Sequence, residues 1–154
     1  MKIKSNAKIN LALAIKYKRP DGFHEIESIF QEIDLYDEIF LEKEDRIILQ
    51  TDSLDIPGDE NNICVKAAQA ICKKYQVSGV NIKLVKNIPV GAGLGGGSSN
   101  AAAVLKGINN LYDLKIDQLE LSGMAAELGS DVPFFLNGGS AYVTGRGEIG
   151  RAHV

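Results

Sequence analysis

From Pro89 to Ala102 the chain reads Pro-Val-Gly-Ala-Gly-Leu-Gly-Gly-Gly-Ser-Ser-Asn-Ala-Ala, with five glycines among the seven residues 91–97. Glycine opens backbone conformations closed to other residues and lets a ligand approach the main-chain amides. The alanine-rich run that follows predicts a helix over 98–111, whose unpaired N–H groups and positive dipole end face the loop. Together they make an anion site, and phosphate is its usual occupant. So many glycines carry a conformational-entropy cost that a plain turn does not require.

Two other phosphate motifs share part of this pattern. Gly91-x-Gly93-x-x-Gly96 satisfies the dinucleotide fingerprint formally, and Asp113 lies near the distance of a ribose-binding acid. That fingerprint normally opens a doubly wound domain, whereas here it is mid-chain and Asp113 follows a helix end. A P-loop fails outright, because no Gly-Lys-Ser/Thr follows the glycines.

The elements around the loop follow from periodicity. Residues 2–15 alternate, with Ile9, Leu11, Leu13 and Ile15 on one side and Lys8, Asn10, Ala12 and Ala14 on the other. This predicts a half-buried strand that sets Lys8 and Asn10 on one face, roughly 6.8 Å apart, where both can serve one ligand. Arg19-Pro-Asp-Gly22 is a turn signal. Residues 24–34 fit a helix or a strand, and the Ile and Phe enrichment after Asp-Gly favours the strand. Two short strands over 38–42 and 46–51 follow, then a helix over 63–75 capped by Asn62. Val80, Ile82 and Leu84 alternate into a strand before the loop. Asp117 with Glu120 makes a capping-box pattern for a helix reaching Leu128, with Gly129 as its stop. A turn over 130–133 and a strand over 140–144 complete an α+β order rather than regular βαβ repetition.

Composition sets the outer bounds. With 154 residues, 45% of them apolar, the chain suits one hydrophobic core. A net charge of −3 gives no general attraction to nucleic acid or to an anionic membrane. No apolar run of about 18 residues predicts a membrane-crossing helix, and the N-terminus lacks a signal-peptide core, so the cytoplasm is expected. Cys64 and Cys72 are expected as small buried thiols on one helix, about 12 Å apart along its axis and too far for a disulfide. No Cys/His cluster supports a structural zinc site.

Four separated segments now combine: Ala7-Lys-Ile-Asn-Leu11, Asp21-Gly-Phe-His24, the glycine loop, and Gly129-Ser-Asp-Val-Pro133. In this order they resemble the GHMP kinase superfamily over essentially residues 3–147. Within it the chain more closely resembles the branch that phosphorylates the 2-hydroxyl of 4-diphosphocytidyl-2-C-methyl-D-erythritol in non-mevalonate isoprenoid precursor synthesis. The resemblance implies an N-terminal domain like domain 2 of ribosomal protein S5, followed in the family by a C-terminal domain that this chain does not match. It implies ATP as phosphoryl donor, bound by Pro89, Val90, Gly91, Ala92, Gly93, Leu94, Gly95, Gly96, Gly97, Ser98 and Ser99. Asn62, Lys86 and Asn100 correspond to residues at the adenine and ribose end.

Asp131 matches the family's catalytic aspartate and Lys8 its partner lysine. An aspartate can accept or orient the proton of an attacking hydroxyl, and a nearby ammonium keeps it ionised. Read without the resemblance, Asp131 caps the turn before Pro133 and Lys8 is a solvated strand residue. Asn10 shares the face of Lys8 as a substrate ligand. His24 matches the cytosine reader, with Phe23 as a stacking or packing partner; alone, His24 is a turn residue. Magnesium is expected with ATP, with no glutamate assigned to it; the superfamily often adds a loop serine. The partner is therefore a small molecule, with neither nucleic acid nor membrane.

The alternatives are another GHMP kinase acting on mevalonate, homoserine or a sugar, a nucleotide-binding module without catalysis, and an NAD-binding oxidoreductase. The end of the chain, Glu148-Ile-Gly-Arg-Ala-His-Val154, carries no helix or strand signal and reads like one frame of a sequencing-library adapter. The expected division is 1–147 as the ATP-binding domain and 148–154 as a non-native tail, in a fragment prone to aggregation.

Overall fold

The computed structural model describes residues 1–145 and 148–153, the last six by backbone alone. The expected boundary at Gly147 and the side chains of Arg151 and His153 lie outside the described residues.

Neither of the first two strands contains Gly or Pro, and both run longer than their alternation predicts. β1 spans Lys2–Lys18 and β2 spans His24–Glu44, which merges the two strands expected over 24–34 and 38–42. They pair antiparallel along most of their length, with bulges after Asn6, Asn10 and Ile15. The opposite edge of β2 is shared. Its start pairs with β5 (Ser140–Gly145) and its end with β4 (Gly79–Val85), both antiparallel. β3 (Ile48–Thr51) adds parallel to β4 across α1 (Ile63–Tyr75). The tail does not stay irregular: β6 (Glu148–His153) pairs with the free edge of β5. Main-chain pairing at an open edge needs no side-chain pattern.

Helix α2 (Gly96–Leu111) starts two residues earlier than expected and lies at the centre, burying Ala101, Ala102, Val104, Leu105 and Ile108. Asn62 caps α1 as predicted, its Oδ1 accepting from the Cys64 N–H at 2.9 Å. In α3 (Gln118–Leu128) Asp117 accepts from the Glu120 N–H at 2.8 Å. Glu120 itself pairs with Lys74 of α1 at 2.8 Å, tying the two helices together. Cys64 and Cys72 are buried and unbonded, and burial pushes the Cys64 thiol up to about 12.

Two features depart from expectation. A one-turn helix, α4 (Phe134–Asn137), follows the 130–133 turn. Phe134 enters the core edge-on to Phe30 with centroids 5.4 Å apart, so packing drives this turn rather than propensity. The second departure concerns β1. Leu11, Leu13 and Ile15 are 59%, 55% and 66% exposed instead of half-buried, as is Tyr17 at 61%. Helix α2 covers only the first part of β1, where Ser5 meets Ser99, and leaves the rest of that strand bare.

At Gly79 the chain crosses Arg46 so closely that a Cβ would stand 2.0 Å from the Arg46 carbonyl carbon. Backbone atoms cannot rotate aside. Gly79→Ala is therefore expected to destabilise the fold by about 3 kcal/mol, as overpacked cores do, read from the shift of the urea midpoint. A change below about 0.5 kcal/mol, the level of an ordinary surface substitution, would rule this out.

Candidate active site

The glycine loop meets the backbone demands its composition announces. Gly91, Gly93 and Gly95 adopt φ of 73°, 75° and 72°. Gly95 is the N-cap of α2 and offers no side chain to the first turn, which carries no acidic residue either. The first amides of a 16-residue helix therefore face the loop without a side-chain cap. Loop and helix start line a cavity of about 340 Å³, with Ile56, Ile63 and Leu84 as its apolar wall. The shape and chemistry suit a phosphate chain with an apolar ring beside it.

Lys8 joins this cavity to Asp131. Its main-chain N–H donates to Leu94 O in the loop at 2.9 Å, and its Cγ lies 3.2 Å from the Cβ position of Gly95. The ammonium donates to Asn10 Oδ1 at 2.8 Å, sits 4.4 Å from the Phe30 ring centroid, and faces Asp131 Oδ2 at 3.9 Å. Lys8 is buried, which rejects the solvated-strand alternative. The bulge after Asn6 makes this possible, because it turns Ala7 and Lys8 inward in succession. Asn10 is fixed in turn by donating to Ser28 Oγ at 2.8 Å.

Asp131 lies on the turn before α4, and its main-chain oxygen accepts from the Phe134 N–H at 3.2 Å. Its side chain makes no cap in α4, so the capping alternative also fails. Two groups hold this segment from the far side. Lys106 Nζ donates to the carbonyls of Phe135 and Leu136 at 3.0 and 3.4 Å, and Glu32 Oε2 accepts from the Gly139 N–H at 2.8 Å. Nothing in the sequence marked Lys106 for this task; only the docking of α4 beside α2 reveals it.

Burial raises the Asp131 carboxyl above its ordinary value of 3.8, and Lys8 partly opposes that rise. A folded pKa above the unfolded one means that ionisation of Asp131 opposes folding. Its cost is absent below the ordinary value and fully present above the folded pKa. If Asp131 must be ionised to act, the acid limb of kcat/KM lies above the ordinary carboxylate value. Lys8→Met should move it higher still, because the opposing charge is gone; a limb that moves down would refute the pairing.

Not every expected ligand faces the cavity. Residues 89–98 line it, but Ser99 is buried and its hydroxyl accepts from Ser5 Oγ at 2.9 Å. The resemblance sets Ser99 beside Ser98 among the ATP-binding residues, but the helical twist turns the Ser99 hydroxyl toward β1 and away from the cavity. Asn62 lines the cavity with its amide bonded to Pro57 O and the Cys64 N–H. Asn100 donates to Ser5 Oγ and to Asp37 Oδ2, both at 2.9 Å. Both asparagines shape the wall. Phe23 and His24 are exposed at the hairpin tip, where Lys18 pairs with His24. Lys8 pairs with Glu32, so eight residues of β2, roughly 26 Å of extended strand, separate the tip from the reactive pair.

Among the described residues no group of three His, Cys, Asp or Glu side chains could hold a metal ion. Ser98 lines the cavity and Asp131 faces Lys8 beside it, while Asp52 and Asp55 line a neighbouring pocket with Pro89 and Val90. No described helix is long and apolar enough to cross a membrane.

A glycine loop at a helix start with a Lys–Asp pair at its rim, on this sheet, has the form of a phosphate-binding module. The model of the GHMP kinases N terminal domain matches residues 62–139, and the chain belongs to that family. More particularly, it is 54% identical over 150 residues to the 4-diphosphocytidyl-2-C-methyl-D-erythritol kinase of Prochlorococcus marinus (strain AS9601), covering 96% of this chain and 48% of that one. The enzyme of the same name from Caldicellulosiruptor bescii is 50% identical over 151 residues, covering 96% and 53%. A crystal structure of 4-(cytidine 5'-diphospho)-2C-methyl-D-erythritol kinase superposes with a TM-score of 0.86 at 38% identity, covering 100% of this chain and 56% of that one. The mevalonate kinase of Methanococcus jannaschii shares the fold at TM-score 0.75 and 17% identity, covering 100% and 56%. The chain spans about half the length of the curated relatives it matches.

Proposed function

We propose that the complete protein is a cytoplasmic kinase that transfers the γ-phosphoryl group of ATP to the 2-hydroxyl of 4-diphosphocytidyl-2-C-methyl-D-erythritol, a step of isoprenoid precursor synthesis. The observation that carries this is Lys8, whose backbone is bonded to the glycine loop while its ammonium faces Asp131. The names and identities of the relatives support the substrate.

On this reading the loop amides and the start of α2 hold the triphosphate. Asp131 orients the substrate hydroxyl and takes its proton as the new O–P bond forms and the β–γ bridge breaks, with ADP leaving. Phosphoryl transfer has a loose transition state, so the positioning of that oxygen counts for more than early proton removal. Lys8 holds Asp131 ionised and stabilises charge on the transferring group. Asn10 fixes the Lys8 ammonium. Magnesium bound with ATP would neutralise phosphate charge, held mainly by the phosphates and water, with the loop serine Ser98 as the protein donor at hand. The hairpin tip, with Phe23 and His24, takes the cytosine.

Residues 1–147 form the nucleotide-binding half, and 148–154 take no part in the chemistry. The bare apolar stripe Leu11, Leu13, Ile15 and Tyr17 supports a second half that covers it. The test is ATP-dependent phosphorylation of diphosphocytidyl methylerythritol by the complete gene product, with mevalonate and homoserine alongside. Selective transfer to the first is expected. Turnover of another alcohol instead would keep the kinase and overturn the substrate.

A further inference from the structure

Period two along β2 places Asp37 in the same inward set as Ile39 and Leu41, and all three are fully buried. A carboxylate in that position has to be paired and hydrogen-bonded to persist. Its partners are unusual in their origin. Oδ1 accepts from the N–H groups of Asn87 at 2.7 Å and Ile88 at 2.8 Å. Oδ2 accepts from Asn100 Nδ2 at 2.9 Å and from Lys86 Nζ. Residues 86–88 precede the glycine loop and Asn100 follows it, so one carboxylate closes the loop at its neck.

Lys86 carries this outward. Its ammonium also donates to Asn100 Oδ1 at 3.3 Å and lies 3.2 Å from where a Cβ on Gly96 would stand, at the start of α2. Its side chain lines the loop cavity yet is only 8% exposed. Two of its three N–H bonds go to Asp37 and Asn100, which leaves the third for an anion in the cavity.

We infer that Asp37 is a positioning residue of the loop cavity: it aims the Lys86 ammonium at the start of α2 and ties the loop's entry to that helix. This rests on the reading of the cavity as the ATP site. Asp37 touches no ligand itself and acts through Lys86. Asparagine in its place keeps the shape and one acceptor oxygen, but leaves the ammonium buried without its counter-charge.

The test uses the complete gene product and compares wild type with Asp37→Asn in steady-state kinetics and in calorimetric titration with ATP. KM and Kd for ATP are expected to rise about tenfold or more, the scale of a lost hydrogen bond to a charged group, with kcat within about threefold and KM for the alcohol unchanged. A merely structural role would lower kcat with the folded fraction and leave both KM values alone. An unchanged ATP affinity in a folded variant overturns the inference while the ATP reading stands. Failure of the wild type to bind ATP overturns that reading and the inference together. If Asp37→Asn does not fold, Asp37→Asn/Lys86→Met removes both charges and replaces it. Its ATP affinity should equal that of Lys86→Met alone, and a further fall would overturn the route through Lys86.

Discussion

Asp131→Asn in the complete protein should lower kcat for ATP-dependent phosphorylation by about 10² to 10⁴, the usual contribution of a positioned acid–base group, while ATP still binds. Asparagine keeps the size of the side chain and its reach toward Lys8, 3.9 Å away. It cannot take a proton. Stability should not fall with activity, because burial already disfavours the charged carboxylate in the folded chain more than Lys8 favours it. The signature is therefore a dead enzyme with a Tm at or above that of the wild type at neutral pH. Turnover within tenfold of wild type would remove Asp131 from the chemistry. A large fall in Tm with proportional loss of turnover would make its role structural.

Gly95→Ala should damage both the cavity and the fold. Gly95 sits at φ 72°, where an L side chain is strained, and a Cβ there would lie 2.6 Å from Phe135 Cζ and 3.2 Å from Lys8 Cγ. Phe135 is buried against Phe134, with ring centroids 5.0 Å apart, so the ring cannot simply swing away. Strain and overpacking together cost about 3 kcal/mol. Any relief moves the N-cap of α2, proposed to hold phosphate, or the Lys8 side chain, which faces Asp131. Urea unfolding and ATP titration should both report the change, with ATP affinity down by at least tenfold. Gly123→Ala is the reference, since it sits in α3 with no neighbour within 4 Å of its Cβ position, and it should be neutral or slightly stabilising. Equal behaviour of the two variants would refute the account of Gly95.

The loop, the Asn62 and Asp117 caps and the helix over 63–75 were legible in the chain because their signals are local. A cap needs one side chain and an amide two or three residues on, and a phosphate loop needs consecutive glycines before a helix. Asp37 was missed because it falls between the strands expected over 24–34 and 38–42, and its place beside Ile39 and Leu41 emerges only where β2 runs unbroken. What it pairs with was not legible, since Lys86 lies 49 residues away and reaches it only through the β2–β4 register. The burial of β1 was misread for a similar reason. Alternation reports that Leu11, Leu13 and Ile15 share a side, but not whether a helix covers that side.

The sequence by itself determined the type and order of most elements and the glycine loop suited to an anion, because backbone preference and side-chain chemistry act over a few residues. Lys8 and Asp131 stood out only through the family resemblance. Only the tertiary structure decided that Lys8 is buried and faces Asp131, that Ser99 turns away from the cavity while Ser98 lines it, and that one carboxylate closes the neck of the loop. Those outcomes depend on bulges, strand register and helix docking, where groups up to 123 residues apart (Lys8 and Asp131) meet. Contacts at that separation are set by how the whole chain packs, and no local pattern encodes them.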